Sequence, residues 1–349
     1  MKIPKIEQLP SGHYFCRLRI NGVSIPITAE TADECETLAI LKKAELKAGK
    51  TRVQKTPKNT TLQEAFDKYL AAHKTTLSPS TYRSYSIYSK NRFPGYRDKK
   101  LPQINWQEMI DRELDLVSEK TVKNAWALVT PALKHVGYPV PKVRLSQVPI
   151  TEIPFLQPDE IPKFCKEVKG RKYEIPCLLA LQGLRLSELR GLTWKDIDLA
   201  RNTLTIRGAV VKGLDGDVAK KTNKNDTSTR TVPIMIDQLH DALAAVPVKE
   251  GPVVRIKGCA LLSDVKRACN RAGITEVTTH GLRHSFASLC FYLKIPHKQI
   301  QQWGGWKNDL VLNRIYIRIA AIMESENKAT FSNFFKNEKS TEENTPVQS

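Results

Sequence analysis

The chain has 349 residues, more than the roughly 100–200 that one compact domain usually uses, so two or three domains are expected. With 41% hydrophobic residues, 26% charged residues and a mean hydropathy of −0.37, it has the apolar content of a folded protein rather than a disordered one. Fifty-five Lys and Arg against thirty-six Asp and Glu leave a net charge of +19, which excludes an acidic, self-solvating chain and favours a polyanionic partner, nucleic acid above all.

That charge is distributed: +5 over residues 1–60, +6 over 61–150, +9 over 151–335 and −1 over 336–349. A single basic tail would suggest a tether, whereas positive charge in every prospective domain suggests several modules meeting one polymer. No stretch approaches the about 18 consecutive apolar residues of a membrane span, and the opening MKIPKIEQLP lacks the apolar core of a secretory signal, so no membrane partner and a cytoplasmic location are expected. The seven cysteines are odd in number, widely spaced and never arranged as C-x-x-C, and read as reduced thiols. Zinc-ligand spacing and a phosphate-binding GxxxxGK[ST] loop are both absent, so neither a metal nor another cofactor is expected.

In chain order, Tyr14–Ile20 alternates, Asn21-Gly22 offers a type I′ turn, and Val23, Ile25 and Ile27 alternate again, which predicts a β-hairpin with Arg17 and Arg19 on its polar face. Thr31 to Glu34 has capping-box spacing and opens a helix reaching about Gly49. This small sheet plus helix is either a folding cap or a basic ribbon shaped for a major groove. Residues 50–60 form a basic linker carrying Lys50, Arg52, Lys55 and Lys58. A helical domain follows, with a capping box at Thr61 to Glu64, a helix opened by Ser78-Pro79, and a later one marked by Val122, Ala125, Trp126, Val129 and Leu133. Five prolines between Tyr138 and Pro158 mark the next boundary. Beyond it, helical patterns over 159–168, 174–190, 236–246, 261–272, 281–294 and 309–334 surround β-prone pieces near 203–212, 229–235 and 252–255. The organisation expected is therefore 1–55, 60–140 and 155–335, with a polar tail over 336–349.

Four polar stretches stand out in the last domain. Arg185 and Glu188 lie in Gly183-Leu-Arg-Leu-Ser-Glu-Leu189, inside what reads as an apolar helix; an i, i+3 ion pair would explain them by itself. Lys220 to Pro233 is a basic loop entering a strand, with Lys221 and Lys224 in it. His280 and Arg283 in Thr279-His-Gly-Leu-Arg-His-Ser285 can address one point from a single helical turn. Gly304-Gly-Trp-Lys-Asn308 precedes Asn313-Arg-Ile-Tyr-Ile-Arg318.

In this order the four stretches resemble the tyrosine recombinases, phage and prophage integrases in particular, over about residues 155–320. The pattern matched is G-L-R-x-S-E-L, a hairpin lysine before R-T-[VI]-P, H-x-L-R-H, glycine followed by His or Trp, and a C-terminal tyrosine. The resemblance implies a multidomain α+β chain: a small N-terminal antiparallel sheet plus helix for arm-type DNA, a helical SAM-like core-binding domain, and a mainly α catalytic domain with a small antiparallel sheet. It implies strand cleavage through a 3′-phosphotyrosyl intermediate, with Tyr316 as nucleophile, Arg185 and Arg283 holding the phosphate, and His280 aiding proton transfer. Trp306 would bind oxygen and pack, Glu188 would support its neighbours, and the leaving 5′-oxygen would be protonated by Lys224 or, in the same loop, Lys221. The interval from Trp306 to Tyr316 is ten residues, one longer than the family pattern. The partners implied are double-stranded attachment sites, a homotetramer on DNA, an excisionase and a DNA-bending accessory protein, in the nucleoid of a bacterial host. Arg17, Arg19, Lys50, Arg52, Lys55, Lys58 and Lys221 are DNA-contact candidates. The other readings open are a type IB topoisomerase-like nicking and resealing enzyme and a non-catalytic DNA-binding regulator.

Overall fold

The computed structural model describes residues 4–20, 23–47, 59–148, 152–221, 229–307, 309–325 and 327–333. The chain divides into two compact units, 1–148 and 149–349, and the division falls within the proline-rich stretch. The elements make a mixed, mainly helical protein with small antiparallel sheets. Among the described residues no helix is long and apolar enough to cross a membrane.

The first unit begins with β1 (Glu7–Gln8), β2 (Tyr14–Ile20) and β3 (Val23–Ala29), paired antiparallel in that order, and α1 (Ala32–Lys47). Alternation sets the faces: Cys16 and Leu18 are buried with Ile27, Ala29, Cys35 and Ala39, while Arg17 and Arg19 lie on the exposed face. Ile20 pairs with Val23; the Asn21-Gly22 turn lies outside the described residues, as do Lys50, Arg52, Lys55 and Lys58. At α1, Thr31 Oγ1 accepts the Glu34 amide.

Helices α2 (Leu62–Ala72), α3 (Pro79–Asn91), α4 (Trp106–Leu114) and α5 (Glu119–His135) follow. The Thr61–Glu64 box closes in both directions, at 3.2 and 3.3 Å. Leu62, Phe66, Met109, Ile110, Leu128 and Leu133 fill one core. Tyr85 is a packing residue whose hydroxyl donates to the Ala127 carbonyl at 3.0 Å. Helix α4, absent from the predicted elements, is nine residues long and held by an Asn105 cap and by burial of Trp106, Met109 and Ile110; so short a period gives little signal.

The second unit contains α6 (Glu160–Val168), α7 (Glu174–Leu181), α8 (Leu186–Gly191), β4 (Ile197–Asp198), β5 (Thr203–Ile206), β6 (Gly208–Lys212), β7 (Asp217–Lys221), β8 (Arg230–Pro233), α9 (Asp237–Ala244), α10 (Gly258–Ala272), α11 (Thr279–Tyr292), α12 (His297–Gly304) and α13 (Leu310–Ile322). Strands pair antiparallel in the order β4-β5-β8, and β6 and β7 form a hairpin. Helices α7 and α11 pack together around Cys177, Leu178, Leu181 and Leu282, with Leu204 and Val232 contributed by the sheet.

Several expectations are corrected. The helix expected over 174–190 is two helices, because Gly183 takes φ +94, which ends α7 and makes Arg185 the N-cap of α8 rather than a mid-helix residue. The β-prone stretch 252–255 forms no strand; only Pro252 bridges, to Thr193. Helix α13 ends at Ile322, and after a turn at Met323 the helical residues are 324–325 and 327–333. The two-turn α12 and the strands β4 and β7 were not predicted, being too short for a periodic signal.

Candidate active site

The site is assembled around Glu188. Gly183 breaks the chain between α7 and α8, and a Cβ there would lie 2.7 Å from Cδ1 of Phe286, so the turn is tight against α11. One turn into α8, the Glu188 carboxylate folds back to accept the Arg185 amide at 2.9 Å and its Nη1 at 2.6 Å. Arg185 Nη2 donates to the Gly305 carbonyl at 2.6 Å, tying the start of α8 to the end of α12.

Arg230 enters from β8. Strand alternation puts it on the same face as buried Val232, and its guanidinium donates to both Glu188 oxygens at 3.1 and 2.9 Å and through Nε to the Trp303 carbonyl at 2.9 Å. Burial alone would raise the Glu188 pKa; the hydrogen bonds and charge of Arg230, then those of Arg185, outweigh it and bring the carboxyl down to about 2. Glu188 is an anion at any ordinary pH.

Arg283 reaches the same carboxylate from α11, with Nη1 4.0 Å from Oε2. It is 1% exposed. Nη1 donates to the Gly183 carbonyl, the guanidinium carbon lies 3.9 Å from the centroid of the Trp306 ring, and Nη2 is buried with no hydrogen-bond partner among the described residues. Burial and the Arg185 charge, partly offset by Glu188, push its pKa down to about 9, so it remains a cation at pH 7. Three guanidiniums thus share one carboxylate, and the excess charge is positive.

His280 sits on the first turn of α11, at the mouth of a cleft of about 720 Å³ shared with Arg185, Ser187, Arg190, Lys212 and Lys257. Desolvation within the cleft, then the charges of Arg283 and Arg185, hold its pKa below the usual histidine value. His284 follows one turn later, buried, with its ring 4.8 Å from that of His280. A second cleft, of about 1090 Å³, opens on the other elements that meet Arg185, lined by Arg230, Thr231, Gln302, Gly305 and Trp306. Such a surface can hold a phosphodiester, because planar guanidinium forks match phosphate oxygens and compensate the charge that builds up during transfer.

The sequence-selected residues are not all gathered here. Arg185, Glu188, His280, Arg283 and Trp306 converge. Tyr316 stands on the outer side of α13, 54% exposed; its ring packs edge-on against Phe291, with centroids 5.3 Å apart, and it lines a hollow with Lys294, His297 and Asn313. Its hydroxyl has no hydrogen-bond partner among the described residues. Lys224 lies outside the described residues; Lys221 ends β7. Arg230 was missed as a site residue, although its two-residue spacing from Val232 in a strand pattern was the signal that it points inward.

Residues 154–322 match the phage integrase family. The chain is 28% identical over 216 residues to a tyrosine recombinase XerC-like protein of Caldanaerobacter subterraneus subsp. tengcongensis, covering 53% of this chain and 55% of that one. It is 25% identical over 181 residues to the integrase of Salmonella phage P22, covering 50% and 46%. The chain thus spans about half the length of these curated relatives. Among solved structures, the Tn1549 transposon integrase in complex with transposon right end DNA is similar with a TM-score of 0.57 and 18% identity, over 76% of this chain and 99% of that one. A lambda integrase tetramer bound to a Holliday junction is similar with a TM-score of 0.56 and 19% identity, over 89% and 94%; both likenesses are of fold. The ordered motifs, the meeting of Arg185, Arg230 and Arg283 at Glu188 and these matches agree: residues 154–322 of the chain are a phage integrase family domain.

Proposed function

We propose that the protein is a site-specific DNA recombinase of the integrase type, cutting and rejoining strands at attachment sites to integrate or excise a mobile element. The observation that carries this reading is the Arg283 guanidinium, 1% exposed with Nη2 unpartnered among the described residues. An unpaired buried donor on a cation is costly, and a non-bridging phosphate oxygen bound beside Arg185 would satisfy it.

In the reaction, Tyr316 Oη attacks the scissile phosphorus, a 3′-phosphotyrosyl bond forms, and the bond to the 5′-oxygen breaks. The lysine of the 222–228 stretch or its flank, Lys224 or Lys221, protonates that oxygen. Arg185 and Arg283 take the non-bridging oxygens, and neutral His280 accepts the phenol proton or donates to the same phosphate. The freed 5′-hydroxyl then attacks the partner strand's linkage, so exchange needs no ATP. Tyr316 reaches the phosphate when α13 reorients on DNA or is supplied by a second copy in a tetramer. The N-terminal sheet, with Arg17 and Arg19 exposed, serves arm-type sites, the helices of 60–140 serve core DNA, an excisionase and a DNA-bending protein set direction, and the work takes place in a bacterial cytoplasm.

The test is covalent trapping. Incubated with nicked duplexes built from short direct repeats flanking its coding region, the wild-type protein is expected to form an adduct stable to denaturation, and Tyr316→Phe to form none. An adduct that persists in Tyr316→Phe would remove the nucleophile; binding without any adduct would favour a regulator. Exchange of arms between two such duplexes separates a recombinase from a topoisomerase.

A further inference from the structure

We infer that Trp306 works through the face of its indole, as a positioning residue for Arg283, and that Gly304 is the residue that permits it. The inference rests on the recombinase reading and deepens it. Two consecutive glycines close α12, for different reasons. Gly305 adopts φ +66, a left-handed cap that favours glycine. Gly304 is helical, where glycine costs about 1 kcal/mol relative to alanine, so the backbone gives no reason for it. The side chain of Trp306 does. The chain folds back, with the Trp306 amide donating to the Gln301 carbonyl at 3.1 Å, and the indole lies across the end of its own helix. A Cβ on Gly304 would stand 1.7 Å from Cζ3 and 2.2 Å from Cε3 of that ring.

Seated there, the indole does two things. It lies over the Arg283 guanidinium at 3.9 Å, and it runs nearly parallel to Phe286, 5° between planes with centroids 6.4 Å apart. Phe286 in turn presses on Gly183, whose carbonyl takes Arg283 Nη1. Two glycine gaps thus admit two rings, and the guanidinium plane is fixed by a ring face and a carbonyl, while Nη2 has no partner among the described residues. A stack of this kind depends on the π-face and not on the indole N–H.

The experiment measures the rate of covalent adduct formation by the full-length protein on the nicked duplex, together with the side-chain NMR shifts of Arg283 in arginine-labelled protein. Trp306→Ala is expected to slow cleavage roughly 10- to 30-fold, the size of a desolvated cation–π contact, and Trp306→Phe, which keeps a ring face and lacks the N–H, to recover most of that. Gly304→Ala is expected to match Trp306→Ala, and Gly304→Ala with Trp306→Phe to do no worse than Trp306→Phe alone, because the second ring that collides is gone. The Arg283 signals are expected upfield in wild type and to relax in Gly304→Ala. Trp306→Phe as slow as Trp306→Ala, or Gly304→Ala as fast as wild type, overturns the inference by making the N–H the working group or the gap irrelevant; so does an unshifted Arg283. An upfield Arg283 in a protein that forms no adduct supports the stack and counts against the recombinase reading instead.

Discussion

Glu188 sets the electrostatics of the cleft because it is the shared counter-charge of three guanidiniums while being only 10% exposed itself. Replacing it by glutamine keeps the shape and removes the charge, leaving Arg230 at 8% and Arg283 at 1% exposure without a counter-ion. Stranding buried charge costs about 3–5 kcal/mol, so Glu188→Gln is expected to lower the urea midpoint markedly at pH 7 and to lose most adduct formation. The histidines give a pH test with a definite sign. His284 is pushed down to about 4 by burial first, then by His280, Arg283 and Arg318. The folded protein therefore binds fewer protons here than the unfolded chain, for which 6.5 applies. The stability tied to a neutral His284 is present above pH 6.5 and is lost as pH falls toward 4. Denaturant midpoints measured across that interval are expected to fall with acid, and His284→Gln to flatten the slope; an unchanged slope would assign it to other groups.

Helix α11 carries His280 and Arg283 and is located by close backbone approach. A Cβ on Gly281 would lie 2.6 Å from the Pro154 carbonyl oxygen and 3.0 Å from Cβ of Val277. A backbone oxygen cannot yield as a side-chain tip can, so Gly281→Ala is expected to shift the first turn of the helix, cost roughly 1–3 kcal/mol and reduce adduct formation through misplaced His280 and Arg283. Gly273, the left-handed cap of α10 at φ +63, has nothing within 4 Å of its Cβ position. Gly273→Ala is expected to cost about 1 kcal/mol in strain with adduct formation kept, and comparing the two in denaturation and trapping separates helix placement from helix stability. Helix α13 is held by apolar packing of Leu312, Ile315 and Ile319 in a cluster with Phe155 and Phe286, and by Arg318, which pairs with Glu152 at 3.5 Å and lies over the Phe155 ring.

Across the whole chain the excess of positive charge makes DNA affinity an ionic-strength measurement. If six phosphates are contacted, the dissociation constant on a flanking-repeat duplex is expected to rise on the order of 10³-fold between 50 and 200 mM salt; a flat profile would count against a phosphate-tracking surface. Sequence alone carried the family resemblance, because Arg185, His280 and Arg283 sit in short stretches whose identity and order are linear properties. It also determined the helices long enough to repeat an apolar period and the hairpin whose alternation needs no partner. The meeting of Arg230 with Glu188 and the Gly304–Trp306 fit were decided only by tertiary structure. So were the break at Gly183 and the outward station of Tyr316. Each depends on which groups from distant segments arrive at the same point, and a carboxylate shared by three arginines or a ring filling the space of an absent Cβ leaves no periodic trace in the chain that encodes it.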